Sequence, residues 1–179
     1  MYSDKILDFF KKHNLYEKEM FDYLQSHTDM IDYQIEEERD FIGCAYAINH
    51  YTKRLDRFRM GLPYVYDDIT ALINIHEIVH GIEGYKHLNK KFTPGMTCEA
   101  LPLVYEKIYI AENPSKELIA YWNYLNSRIK EDSDIQYRFG LSVRDELFSK
   151  YVDDYKKMNK WLINLLENTI ERIEINKIK

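Results

Sequence analysis

With six glycines and four prolines in 179 residues, the chain has few places at which it can turn sharply or break a helix. Glycine supplies the backbone angles of tight turns and proline interrupts helices, so a chain poor in both is committed to long helical stretches. At this length one compact domain can bury a core without disulfide or metal staples. The expected class is mostly α.

The apolar spacing places the elements. Residues 4–38 read as two helices, one carrying Ile6, Leu7, Phe9 and Phe10, the other Met20, Phe21, Tyr23, Leu24, Met30 and Ile31. Phe41 to Ile48 and Phe58 to Tyr66 are short, aromatic and β-branched, with Gly and Pro nearby, and read as a small β-element. Pro63 has no N–H to give to a ladder, which favours an edge strand. Asp67 and Asp68 offer capping oxygens to a helix over residues 69–83, with Gly84 as its stop. After a loop at Pro94-Gly95, Thr97 caps a helix to about residue 111, and Asn113-Pro114 breaks it. Ser115 caps a third helix with Leu118, Ile119, Tyr121, Trp122 and Leu125 as its core face. Lys130 to Asp134 reads as a charged turn, and residues 135–156 and 158–178 as two long helices. The organisation is a single domain: N-terminal helices in 1–40, a core in 41–150 and a C-terminal helix in 151–179.

Composition removes several classes of function. Hydrophobic residues at 45% and charged residues at 31% describe a globular chain. A net charge of −5 gives no electrostatic reason to hold nucleic acid. No stretch approaches the roughly 20 apolar residues of a membrane span. The run Ile6 to Lys12 is too short and charged for a signal peptide. Two cysteines, Cys44 and Cys98, are too few for a disulfide framework. The expectation is a cytoplasmic protein. Most of the 16 tyrosines are expected to pack.

One segment carries chemistry. In His76-Glu77-Ile78-Val79-His80 the histidines stand four apart on a helix, so both imidazoles leave the same face. Two ring nitrogens so placed can reach one ion at about 2.0–2.1 Å. Glu77 is turned about 100° away, too far round for a ligand but suited to a general base. Leu72, Ile73, Val79 and Ile82 make the rest of the helix apolar. A catalytic zinc site needs a third protein ligand and a position left for water. His87, Glu99 and Glu106 are the candidates. His87 would lie about 10 Å beyond His80 if the helix continued, which disfavours it. Glu99 and Glu106 are seven apart, two helical turns, and share a face. Glu83 shares the histidine face, as a pocket residue or a solvated one.

These residues resemble the gluzincin metallopeptidases, specifically the thimet oligopeptidase and oligoendopeptidase F group. That group pairs a His-Glu-x-x-His helix, matched by residues 76–80, with a helix of pattern Glu-(six residues)-Glu, matched by Glu99 and Glu106. Asp68-Ile69-Thr70-Ala71-Leu72 also resembles the approach to the family's zinc helix. Tyr137-Arg138-Phe139-Gly140-Leu141 is similar to its tyrosine-rich stretch. The resemblance covers residues 58–150 and implies a zincin-like helical domain with one zinc ion on His76, His80 and Glu99. It implies Glu77 as the base, Tyr137 as an oxyanion donor and Glu106 as a residue behind the ligands. The family's histidine upstream of the tyrosine-rich stretch has no counterpart among Lys130 to Gln136. The expected function is hydrolysis of peptide bonds in peptides, with Glu106 accepting a hydrogen bond from a ligand imidazole. Leu62, Tyr64 and Tyr66 would present a strand edge to the extended substrate. The competing expectation is a zinc-bearing scaffold that binds peptides without cutting them. An aromatic content of 15% leaves room for a homodimer that roofs the cleft.

Overall fold

The structure, a computed structural model, describes residues 2–31, 46–47, 59–86, 99–132 and 135–177. It is mostly helical. Helices α1 (Asp4–Lys12) and α2 (Lys18–Ser26) precede strands β1 (Thr28–Ile31), β2 (Tyr46–Ala47) and β3 (Arg59–Pro63). Then come α3 (Asp68–Tyr85), α4 (Ala100–Glu112), α5 (Lys116–Asp132), α6 (Ile135–Tyr151) and α7 (Tyr155–Lys177). No described helix is long and apolar enough to cross a membrane.

The first correction concerns Met30 and Ile31, which belong to β1 and not to a helix. Three successive side chains end α2 before them. Ser26 Oγ donates to the Tyr23 carbonyl (2.7 Å), His27 Nδ1 lies 2.9 Å from the same oxygen, and Thr28 Oγ1 donates to the Leu24 carbonyl (2.7 Å). With its last carbonyls satisfied by side chains the helix stops, and the freed backbone pairs elsewhere. Thr28 to Ile31 run parallel to Met60 to Pro63, and Tyr46 and Ala47 pair antiparallel with Met60 and Arg59.

The strand order is therefore β1-β3-β2; β2 pairs with Arg59 and Met60, β1 with Met60 to Pro63, and the strand expected to present Leu62, Tyr64 and Tyr66 ends at Pro63. β3 is the middle strand and Leu62 is buried in the core. Tyr64 and Tyr66 lie past its end and are exposed. Pro63 is tolerated there because it is the strand's last residue, and its carbonyl accepts a 2.9 Å hydrogen bond from Asn74 Nδ2.

The cap of α3 is as expected. Asp67 Oδ1 accepts from the Thr70 N–H at 2.8 Å, and Thr70 Oγ1 accepts from the Asp67 N–H at 3.1 Å, a reciprocal capping box. Gly84 does not stop this helix, which runs through Tyr85. Ser115 Oγ accepts from the Leu118 N–H, as its capping role requires. Ile119 is exposed and so leaves the predicted core face of α5. That helix continues through Asp132, and the break between the last two helices falls at residues 152–154 instead of 157. Phe41 to Ala45 and Thr97 lie outside the described residues.

α3 is the centre of the molecule. Every residue from Thr70 to Glu83 is buried, so the helix has no solvent face along that stretch. α1, α2 and β3 cover it on one side and α4 and α5 on others, with α6 packed in turn against α4. Phe9 and Phe10 of α1, Met20, Phe21 and Leu24 of α2, and Tyr105 and Tyr109 of α4 fill the core around it. A helix enclosed this way must be apolar nearly all round, and Ala71-Leu72-Ile73 and Ile75, Ile78, Val79 and Ile82 make it so. Its polar exceptions are Thr70, which belongs to the cap, and Asn74, His76, Glu77, His80 and Glu83. Asn74 is accounted for by the Pro63 carbonyl and the Thr70 carbonyl, at 2.9 and 2.8 Å.

Candidate metal centre

The remaining polar groups of α3 converge with α4. His76 and His80, one turn apart, bring their Nε2 atoms to within 3.1 Å of each other. Glu99 Oε2 lies 3.1 Å from His76 Nε2 and 3.6 Å from His80 Nε2. The three residues are 6%, 8% and 7% exposed, so the group is enclosed by protein. Among the described residues, this is the one cluster of His, Cys, Asp or Glu that brings three ligand atoms together, and it could hold a metal ion.

Glu99 reaches this point from the start of α4. It is the residue before Ala100, with φ −99° and ψ −10°, and its carbonyl accepts from the Leu103 N–H at 3.1 Å. Its side chain makes no capping bond and is directed to the histidines. The helical backbone at Glu99 keeps it in phase with Glu106, seven residues on, and both point towards α3. His76 Nδ1 lies 2.7 Å from Glu106 Oε1. A carboxylate only accepts, so Nδ1 carries the proton and Nε2 is left to the cluster. Glu77 Oε1 stands 4.0 Å from His76 Nε2, beside the cluster and outside the ligand set.

The electrostatics follow from four carboxyl groups buried around two imidazoles. Burial opposes charge on His76, yet Glu106 and Glu77 outweigh it and hold the imidazole well above its ordinary range. Glu99 is likewise resisted by burial, but His80 and His76 keep its carboxyl below the usual carboxylate range. Glu83 goes the other way: burial and the nearby charge of Glu99 push it well above the carboxylate range. A proton on His76 and a divalent cation are thus alternative ways to balance the same negative surroundings.

The structure gathers His76, Glu77, His80, Glu83, Glu99 and Glu106 in one place, and Glu83 is buried instead of solvated. His87 lies outside the described residues. Tyr137 is half-buried on α6, one turn before Gly140. Gly140 is a site residue that the sequence did not disclose. A Cβ there would lie 3.0 Å from the backbone carbon and from Cβ of Glu99, so the missing side chain lets α6 press on the residue that carries the third ligand atom. Asn74 is the second: a lone amide in an apolar helical run signals a buried partner, and this one ties the histidine helix to the end of β3.

No family model, curated protein or solved structure matches the chain. The geometry stands by itself.

Proposed function

We propose that the protein is a zinc-dependent peptidase in which His76, His80 and Glu99 hold one zinc ion and Glu77 acts as the base. The observation that carries this reading is the triangle of ligand atoms, with edges of 3.1, 3.1 and 3.6 Å. Tetrahedral zinc bonded at 2.0–2.1 Å spaces its ligand atoms about 3.3–3.4 Å apart. Glu99 Oε2 supports the same fit: it is buried and makes no hydrogen bond among the described residues, although two imidazoles are close by. Two nitrogens and one carboxylate oxygen are the donor set of many catalytic zinc sites, which keep the fourth position open.

Zinc held by His76, His80 and Glu99 would supply Lewis acidity towards a carbonyl and would make the attacking water more acidic. The protein's own groups do the rest. Glu106 holds the proton of His76 Nδ1 and so fixes which nitrogen faces the ion. Glu77, buried beside the cluster at 4.0 Å from His76 Nε2, takes a proton from the attacking water and returns it to the leaving amine. Tyr137, on the helix whose Gly140 abuts Glu99, is the proposed donor to the developing oxyanion. The resemblance to the thimet oligopeptidase and oligoendopeptidase F group agrees with these roles.

Glu77→Gln is the test. Zinc content should stay at one equivalent while cleavage of a mixed peptide library falls by about 10²–10⁴-fold, the usual weight of a positioned acid–base group. Full cleavage by that variant rejects Glu77 as the base. A wild-type protein that binds zinc and cuts nothing would favour the non-catalytic peptide-binding scaffold.

A further inference from the structure

We propose that Glu83 orients His80 for metal binding, as Glu106 orients His76; the inference rests on the metal site described above. Glu83 is three residues beyond His80 on α3, the spacing that places two side chains on one face of a helix. Its Oε2 lies 3.9 Å from His80 Nδ1, the ring nitrogen turned away from the cluster. At 1% exposure Glu83 is the most enclosed of the buried carboxylates, and Oε2 makes no hydrogen bond among the described residues.

A carboxyl group in that position is costly unless a donor reaches it. Among the described residues two donors are near. One is His80 Nδ1. The other is the hydroxyl of Tyr155 at the start of α7, which is also buried and makes no hydrogen bond among the described residues. His80 is favoured by chemistry: a histidine that binds a metal through one nitrogen gives the other N–H to a carboxylate, carbonyl or water. A hydrogen bond needs a separation of about 2.7–3.2 Å, so Oε2 must close by about 1 Å.

The two pairs then differ in distance: His76 Nδ1 and Glu106 are 2.7 Å apart, and His80 Nδ1 and Glu83 are 3.9 Å apart and would close when an ion fixes the ring. Glu83 is a positioning residue, and its effect belongs to metal affinity first.

The experiment is zinc affinity by chelator competition on the full chain, for wild type, Glu83→Leu, Glu83→Gln and Tyr155→Phe. Glu83→Leu should bind about 10–100-fold more weakly, the usual effect of losing such a partner. Glu83→Gln should recover most of that loss, because its amide oxygen accepts the same N–H. Tyr155→Phe should bind like wild type. Wild-type affinity in folded Glu83→Leu overturns the proposal, and so does a Tyr155→Phe defect as large as that of Glu83→Leu. Should the leucine variant not fold, the imidazole N–H proton resonances of the zinc-loaded protein decide. Glu83→Gln must move that of His80 and leave that of His76 in place; an unmoved His80 resonance refutes the assignment. Peptide cleavage is read separately: a zinc-binding wild type without cleavage refutes the peptidase reading alone.

Discussion

His76 Nδ1 and Glu106 Oε1 are 2.7 Å apart, which joins the middle of α3 to the second turn of α4 inside the core. The pair sets the tautomer of one ligand and also locks the two helices that carry the donor set. Removing the acceptor leaves a buried N–H without its partner. Glu106→Ala should therefore weaken zinc binding by about 10–100-fold and Glu106→Gln by less, measured by competition with a chromophoric chelator. Equal affinities for wild type and Glu106→Ala would show that His76 is oriented by packing alone.

The two buried glycines next to the site should respond differently to alanine. At Gly140 a Cβ would meet Leu103 Cδ1 at 2.8 Å and the Glu99 backbone carbon at 3.0 Å. Backbone cannot step aside, so Gly140→Ala should cost about 1–3 kcal/mol in urea unfolding and should also loosen zinc by displacing Glu99. At Gly81 the nearest atoms are Met60 Sδ at 2.9 Å and Leu24 Cδ2 at 3.1 Å. Methionine is flexible and alanine favours a helix by about 0.8–1.0 kcal/mol over glycine. Gly81→Ala should leave stability nearly unchanged. Equal costs at the two positions would refute the close approach of α6 to Glu99.

The pH dependence of stability has a definite sign. His76 and Glu83 are both raised in the folded chain, from ordinary values of 6.5 and 4.5, so both bind protons more tightly folded than unfolded. Each contributes stability that is fully present below its unfolded value and is lost as pH rises through its folded value. Without metal, thermal stability should fall as pH rises above about 6.5, the ordinary value of the imidazole. If zinc takes the place of the His76 proton, its stabilising shift in Tm should be larger at pH 8 than at pH 6. A Tm of the chelated protein that rises over this interval contradicts the charge balance described here.

Zinc should also stabilise by mass action, by about 2.7 kcal/mol at a free concentration 100 times its Kd. Calorimetry with and without a chelator checks this, and the gain should vanish in His80→Ala. Persistence of the full gain in that variant would place the ion elsewhere.

The capping box at the start of α3 carries a cost of its own. Asp67→Ala should lower stability by about 0.5–2 kcal/mol in chemical unfolding, because Thr70 loses the acceptor of its N–H. Zinc affinity should hardly change, since His76 lies nearly two turns further on inside the packed part of the helix.

The local parts of this architecture were legible from residue types alone. Asp67 and Ser115 cap helices because a short oxygen-bearing side chain beside an apolar run has one favourable use. His76 and His80 share a face by helical geometry, and the seven-residue step does the same for Glu99 and Glu106. What the sequence concealed depends on distant partners. Met30 and Ile31 have helical spacing, and they form a strand only because Met60 to Pro63 lie alongside. Leu62 acquires its partner Met30 only once β1 is recognised as a strand. The closeness of Gly140 to Glu99 joins positions 41 residues apart and leaves no mark in either segment.

The enclosure of α3 from Thr70 to Glu83 has a consequence for how such a centre can change over time. A helix surrounded by other elements has no spare surface, so nearly any replacement within it disturbs the interior before it alters reactivity. Variation in this protein's chemistry would have to enter from the neighbours that lean on the helix. The donors would then be the fixed part of the molecule, and the side chains of the surrounding elements the adjustable part.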